Sequence, residues 1–88
     1  MFYAYTLQSE KKKTFYYGHT YDLKIRLKRH NDGRVRSMKS KRPWKLCHFE
    51  AFETKPEAYR RELFFKSIDG YNYLRSEKII IPENTEEW

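Results

Sequence analysis

Apolar and polar residues cluster in a few stretches of this chain, and each stretch predicts an element. FYAYTLQS (2–9) is rich in aromatic and β-type residues and reads as a strand. A polar turn follows from Glu10 to Lys13, and Thr14 to Gly18 resumes strand character, which closes an antiparallel hairpin. The period then changes. Leu23 and Leu27 fall on one inward stripe of a helix that Thr20 can cap, with Asp22 in its first turn and Asn31 and Gly33 at its end. WKLCHFEAF (44–52) predicts a third strand, its mixed pattern fitting a central position covered on both faces.

Thr54 and Glu57 have capping-box spacing, and the helix they open runs to about Ser67 before Gly70 breaks it. YNYLRSEKI then predicts a short helical or extended return. GRVRSMKSKRP (33–43) has no period and reads as a mobile basic loop. The expected fold is α+β, a small three-stranded antiparallel sheet flanked by helices. It forms one domain over 1–80, with an acidic, flexible tail over 81–88.

With 88 residues the chain can bury only a modest core. It has no apolar run of about 18 residues, so no membrane partner is expected. In MFYAYTLQSEKKK the charge follows the apolar stretch, the reverse of a secretory signal. Cys47 is the single cysteine, which excludes an internal disulfide and zinc-finger spacing. A cytoplasmic location follows as the simplest expectation, with no obligate protein partner.

Charge changes the picture more. The net charge is +7, but residues 24–45 hold ten Lys/Arg against one acid, Asp32, and so carry +9. The other nine bases and eleven acids give −2. One basic face of this kind points to nucleic acid, whose phosphates release counterions when cations meet them.

Three sets of residues bear on chemistry. Glu62 has Ala58, Tyr59, Phe65 and Lys66 one helical turn away, so its carboxylate borders the buried side of its helix. It therefore needs a partner or a metal, and Arg61 or Lys66 is the plain alternative. Arg26 and His30 share one face at i and i+4, either as a solvated basic face or as a phosphate and proton handler. Tyr3, Tyr5, Tyr16 and Tyr17 alternate along the hairpin, two pairs pointing to opposite faces, and strand tyrosines are most often packing residues. Taken together, these types suit phosphodiester hydrolysis: an activated water, charge at phosphorus, and a hard cation on a carboxylate. A phenol, with a pKa near ~10, can act as base only beside positive charge.

In order along the chain, Tyr3-Ala4-Tyr5, Tyr16-Tyr17-Gly18, RLKRHN, RPWKLCHFEAFETKPEA and RRELFFKS resemble a GIY-YIG nuclease domain of the short, stand-alone bacterial type. The resemblance covers about residues 2–76. It implies catalytic roles for Tyr5, Tyr16, Arg26, His30 and Glu62, with Tyr16 or His30 as base and Gly18 as a hinge. Glu62 would hold Mg²⁺ or Mn²⁺. Asn72 takes the position of the family's downstream asparagine, and His19 stands where some members have a lysine. Nucleic-acid contacts are expected from Arg29, Arg34, Arg36, Lys39, Lys41, Arg42 and Asn72. The implied function is a metal-dependent endonuclease of low sequence specificity acting on DNA, with RNA as a second candidate, in repair or processing. The rivals are a nucleic-acid-binding module with weak or no catalysis, and a protein adaptor using the aromatic strands.

Overall fold

In the computed structural model, which describes residues 1–12 and 14–80, strand β1 (Phe2–Ser9) is the middle of a three-stranded antiparallel sheet. Strands β2 (Phe15–Thr20) and β3 (Trp44–Phe52) flank it. The α+β architecture matches the expectation, but the central strand is β1. The expectation that 44–52 lies centrally is corrected: β3 is an edge strand, and its mixed pattern arises where the register with β1 shifts at Thr6/Leu7. The expected tail over 81–88 and Lys13 of the hairpin turn lie outside the described residues.

The pleat sorts β1 between two cores. Tyr5 and Leu7 point to one side, where they pack with Met38, Trp44, Leu23 and Leu27. That side is covered by helix α1 (Leu23–Asn31) and a 3₁₀ helix (Arg36–Lys41). Ala4 packs on the other side with Phe65 and Leu74, from helices α2 (Lys55–Phe65) and α3 (Ile68–Ser76). The 3₁₀ helix corrects the reading of 33–43 as a loop without structure. Its signal is a single apolar residue, Met38, which inserts into the core and carries no period.

Helix ends depart from expectation by small steps with clear causes. Asp22, not Thr20, caps α1, its carboxylate accepting from Ile25 N at 3.0 Å. Thr20 instead accepts from the Asp22 backbone N–H and shapes the approach. The Thr54–Glu57 capping box forms as expected. Gly70 does not end α2. The chain turns at Lys66–Ser67, where the Ser67 hydroxyl caps α3 by accepting from Gly70 N at 3.1 Å. Gly70 lies inside α3 because that helix crosses directly over the last turn of α2. A Cβ at Gly70 would stand 1.8 Å from the Phe64 carbonyl oxygen and 2.8 Å from Phe65 Cα.

Because those neighbours are backbone, the clash has no cheap relief. Gly70→Ala is expected to destabilise the domain by about 1–3 kcal/mol, lowering Tm by roughly 10 °C. A thermal melt followed by circular dichroism checks this. An unchanged Tm would show that α3 does not press on α2 as described.

Candidate active site

Tyr5 on β1 and Tyr16 on β2 share the face that α1 covers, because the register sets Tyr5 opposite Gly18 and Leu7 opposite Tyr16. A Cβ on Gly18 would stand 2.6 Å from the Tyr5 hydroxyl oxygen and 3.1 Å from a Tyr16 ring carbon. The Tyr5 phenol thus occupies the space a side chain there would fill. Gly18 is buried mid-strand with no positive φ, so its role is room for Tyr5, which corrects the hinge expected of it. Three of the four hairpin tyrosines, Tyr3, Tyr5 and Tyr16, face α1, and only Tyr17 turns to α2, where its ring lies 6.2 Å from that of Phe65. The expected split into two pairs therefore becomes three and one.

Helix α1 brings Arg26 and His30 down onto these phenols. The Tyr5 hydroxyl lies 3.3 Å from His30 Nε2, and the Tyr16 and His30 ring centroids are 5.0 Å apart. Tyr5 and His30 are each 1% exposed. Burial pushes the Tyr5 phenol far up, the nearby Tyr16 adds to this, and the Arg26 guanidinium against its hydroxyl offsets only part. Burial, then Arg26, lowers His30 to about 4. Both groups are therefore neutral at pH 7. The Tyr5 hydroxyl and His30 Nε2 are thus paired as two neutral groups inside the core. His30 Nδ1 has no partner among the described residues.

Glu62 comes from the other side of the sheet and is 8% exposed, as its helical position predicts. His19 Nδ1 donates to its Oε1 at 2.6 Å and Lys66 Nζ to its Oε2 at 2.6 Å. Burial raises its pKa, but the hydrogen bonds from Lys66 and His19 outweigh this and hold the carboxyl below the usual range. The ion-pair alternative is thus realised with Lys66, while Arg61 turns away to Glu50. The two halves meet at edge strand β2, which supplies Tyr16 to one face and His19 to the other. Tyr5 lies near enough to feel the Glu62 charge, and Lys66, raised first by its bond to Glu62, also feels Tyr16.

Among the described residues no three His, Cys, Asp or Glu side chains lie together as a metal cage. The donor set offers one ionised carboxylate, each oxygen keeping a lone pair beyond its hydrogen bond. That suits a hard ion such as Mg²⁺ or Mn²⁺, which retains waters and takes phosphate oxygens, and it does not suit a structural zinc centre.

The remaining predicted residues lie outside this cluster. Arg29, Arg34, Arg36 and Lys39 are exposed, and Lys41 and Arg42 are half-buried. Asn72 is exposed on α3 and makes no hydrogen bond to the five clustered residues. Sequence reasoning missed His19 as the partner of Glu62. Strand alternation was the available signal, since His19 lies two residues beyond Tyr17 and so shares its face.

Comparison with known proteins is consistent with this geometry. Residues 1–72 match the model of the GIY-YIG catalytic domain. A UPF0213 protein of Bacillus velezensis is 46% identical over 56 residues, which is 62% of this chain and 57% of that one. The match thus spans little more than half the length of that relative. A UPF0213 protein of Clostridium perfringens is 38% identical over 99% of this chain and 96% of its own. Among solved structures, the solution NMR structure of a UPF0213 protein from Bacillus halodurans is similar. Its TM-score is 0.52 at 32% identity, covering 89% of this chain and 86% of that one.

The buried histidine gives a pH prediction. The folded chain keeps His30 neutral down to about pH 4, whereas the unfolded chain takes up the proton near 6.5. Between those values the unfolded state binds more protons, so stability should fall as pH drops through that window. Urea titrations at a series of pH values measure this slope, and the part due to His30 should disappear in His30→Gln. A midpoint near 6.5 for His30 by NMR would contradict the sealed geometry.

Proposed function

This chain belongs to the GIY-YIG catalytic-domain family, and from that premise we propose that it is a metal-dependent endonuclease-type phosphodiesterase. Its substrate is DNA, with RNA as a second candidate, cut with low sequence selectivity. The observation that carries the reading is that edge strand β2 sets Tyr16 against the Tyr5–His30 pair on one face and His19 against the Glu62 carboxylate on the other.

In this reading the five residues divide by accessibility. Tyr5 and His30 are sealed, so they position: His30 fixes the phenol's rotation, and the phenol lies beside the Arg26 guanidinium. Arg26, half-buried, offers its remaining N–H donors to the phosphoryl oxygens, where charge grows during attack. Tyr16 is half-buried beside them and orients or deprotonates the attacking water. His30 is the poorer base, because its Nε2 is engaged by Tyr5 and its Nδ1 is enclosed. Glu62 would hold Mg²⁺ or Mn²⁺, and such an ion, when bound, supplies Lewis-acid charge at the leaving oxygen. His19 and Lys66 keep that carboxylate ionised and aimed.

One observation favours the second reading, a nucleic-acid-binding module with little catalysis. Glu62 is already neutralised by Lys66 at 2.6 Å, which an ion would have to displace or share.

Three substitutions separate the two readings. Tyr16→Phe removes one oxygen and should lower turnover by about 10²–10⁴-fold, while Tyr17→Phe, facing α2, should change it little. Glu62→Gln removes the charge a divalent ion needs and should abolish metal-dependent cleavage with DNA affinity nearly intact. Purified protein incubated with DNA and RNA in Mn²⁺ or EDTA provides the readout. Absence of metal-dependent cleavage on every substrate, with wild-type affinity in both Tyr→Phe variants, would leave the binding module standing.

A further inference from the structure

Outside the cluster lies an open basin of about 670 Å³, between the β1–β2 turn, the end of α1 and the 3₁₀ helix. Lys11 from the turn, Arg36 and Lys39 from the 3₁₀ helix, and Arg42 beyond it line this basin, together with Asn31 and Ser40. None of the four cations forms an ion pair with a carboxylate among the described residues. Asp32, the single acid of the basic segment, is taken by Lys28 at 2.8 Å. Lys11, Arg36 and Lys39 pair with no carboxylate among the described residues, and Arg42 shares only the field of Asp32, so the cations around this concavity repel one another and favour an anion.

The basin has a fixed frame. The Asn31 side chain donates to the Trp44 carbonyl at 3.0 Å and accepts from the Trp44 N–H at 2.6 Å. The Trp44 indole N–H donates to the Met38 carbonyl at 3.1 Å, which ties the 3₁₀ helix to the sheet. Arg42 donates Nε to the Lys39 carbonyl and Nη1 to the Asn31 carbonyl, which leaves Nη2 for another acceptor. Gly33, at φ 80, leaves room for that guanidinium, since a Cβ there would stand 2.8 Å from Arg42 Nη1.

We infer that this basin is a second phosphate subsite, which grips a non-scissile phosphate of the nucleic-acid strand. A strand fits better than a free nucleotide. The basin is open, its cations are spread around its rim, and among the described residues it has no aromatic wall to hold a single base. It also adjoins the cluster, because consecutive residues of α1 serve each: His30 is sealed against Tyr5, and Asn31 frames the basin. Lys11 is the distinguishing member. It belongs to the hairpin turn rather than to the basic segment, so only the fold brings it here. The inference rests on the nuclease reading for the word non-scissile, and not for binding itself.

Fluorescence anisotropy with a short fluorescein-labelled oligonucleotide in EDTA tests binding without cleavage. The triple variant Lys11→Gln/Arg36→Gln/Lys39→Gln changes only exposed side chains, and its Tm should equal that of wild type. Its affinity should fall at least tenfold, and its log–log salt slope should be shallower by about 2. A control triple of exposed cations on the α2–α3 side, Lys55→Gln/Arg60→Gln/Lys78→Gln, removes the same charge and should change the slope far less. Equal losses in both triples, or an unchanged slope in the basin triple, would overturn the subsite. Inorganic phosphate should displace the oligonucleotide from wild type better than chloride of equal ionic strength, and that excess should vanish in the basin triple; an excess that persists undiminished in the triple would overturn the subsite. A chain that cleaves nothing yet shows the slope change keeps this inference while losing the nuclease reading.

Discussion

The central strand has no face to leave in water, and most of the architecture follows from that constraint. Ala4, Tyr5, Thr6 and Leu7 are all buried, although the pleat sends them alternately to opposite sides. The two sides differ in bulk. Ala4 and Thr6 are small, and the bulk on that side comes from Phe65 and Leu74 of the covering helices. Tyr5 and Leu7 are large, and they pack with Met38 and Trp44 beneath α1 and the 3₁₀ helix. Gly18 completes the scheme, since the Tyr5 phenol can cross β2 toward Arg26 and His30 only where that strand carries no side chain.

Charge is handled on the α2 side by one device used twice. Glu62 takes a histidine from the sheet, His19, and a cation from α2, Lys66. Glu50 likewise takes His48 from β3 and the Arg61 guanidinium from α2, at 2.7 and 2.9 Å. Arg61 lies 4.4 Å above the Phe64 ring and 5.2 Å above that of Tyr73, so the Glu50 set also binds α2 to β3 and α3. Both sets have aromatic rings beside them, the Glu50 set through Arg61 over Phe64 and the Glu62 set through His19 against Tyr59 at 5.4 Å. Only the Glu62 set includes a residue of edge strand β2, His19.

The elements with a strong local signal were legible in the sequence. The hairpin, α1, the third strand and the Thr54 capping box each rest on residues near one another in the chain, and so does the buried placement of Glu62. What escaped depends on contacts between distant elements. Strand order is set by which faces the helices cover, so the pattern of β3 could not show that it lies at an edge. Gly70 resembled a helix breaker because only the crossing of α3 over α2 reveals why a side chain is excluded there. Gly18 resembled a hinge because the phenol it accommodates lies 13 residues earlier. The residue types of the candidate site were visible as a set, yet the sealing of Tyr5 and His30 against solvent appears only in three dimensions.

Helix α1 links the two anion-attracting regions of the molecule, and it does so stiffly. At its end His30 is held against Tyr5 while Asn31 makes a paired amide contact with the Trp44 backbone. The Trp44 ring in turn lies 6.4 Å from that of Tyr16, edge to face, and its N–H holds the 3₁₀ helix. Tyr16 and the basin therefore share a rigid strut, with no flexible loop between them. Buried hydrogen bonds of this kind are costly to leave unmade, so a phosphate drawn into the basin cannot easily shift relative to the phenols. In the proposed reading, such a fixed spacing would let the geometry of a phosphate backbone, instead of base identity, set where a strand comes to lie.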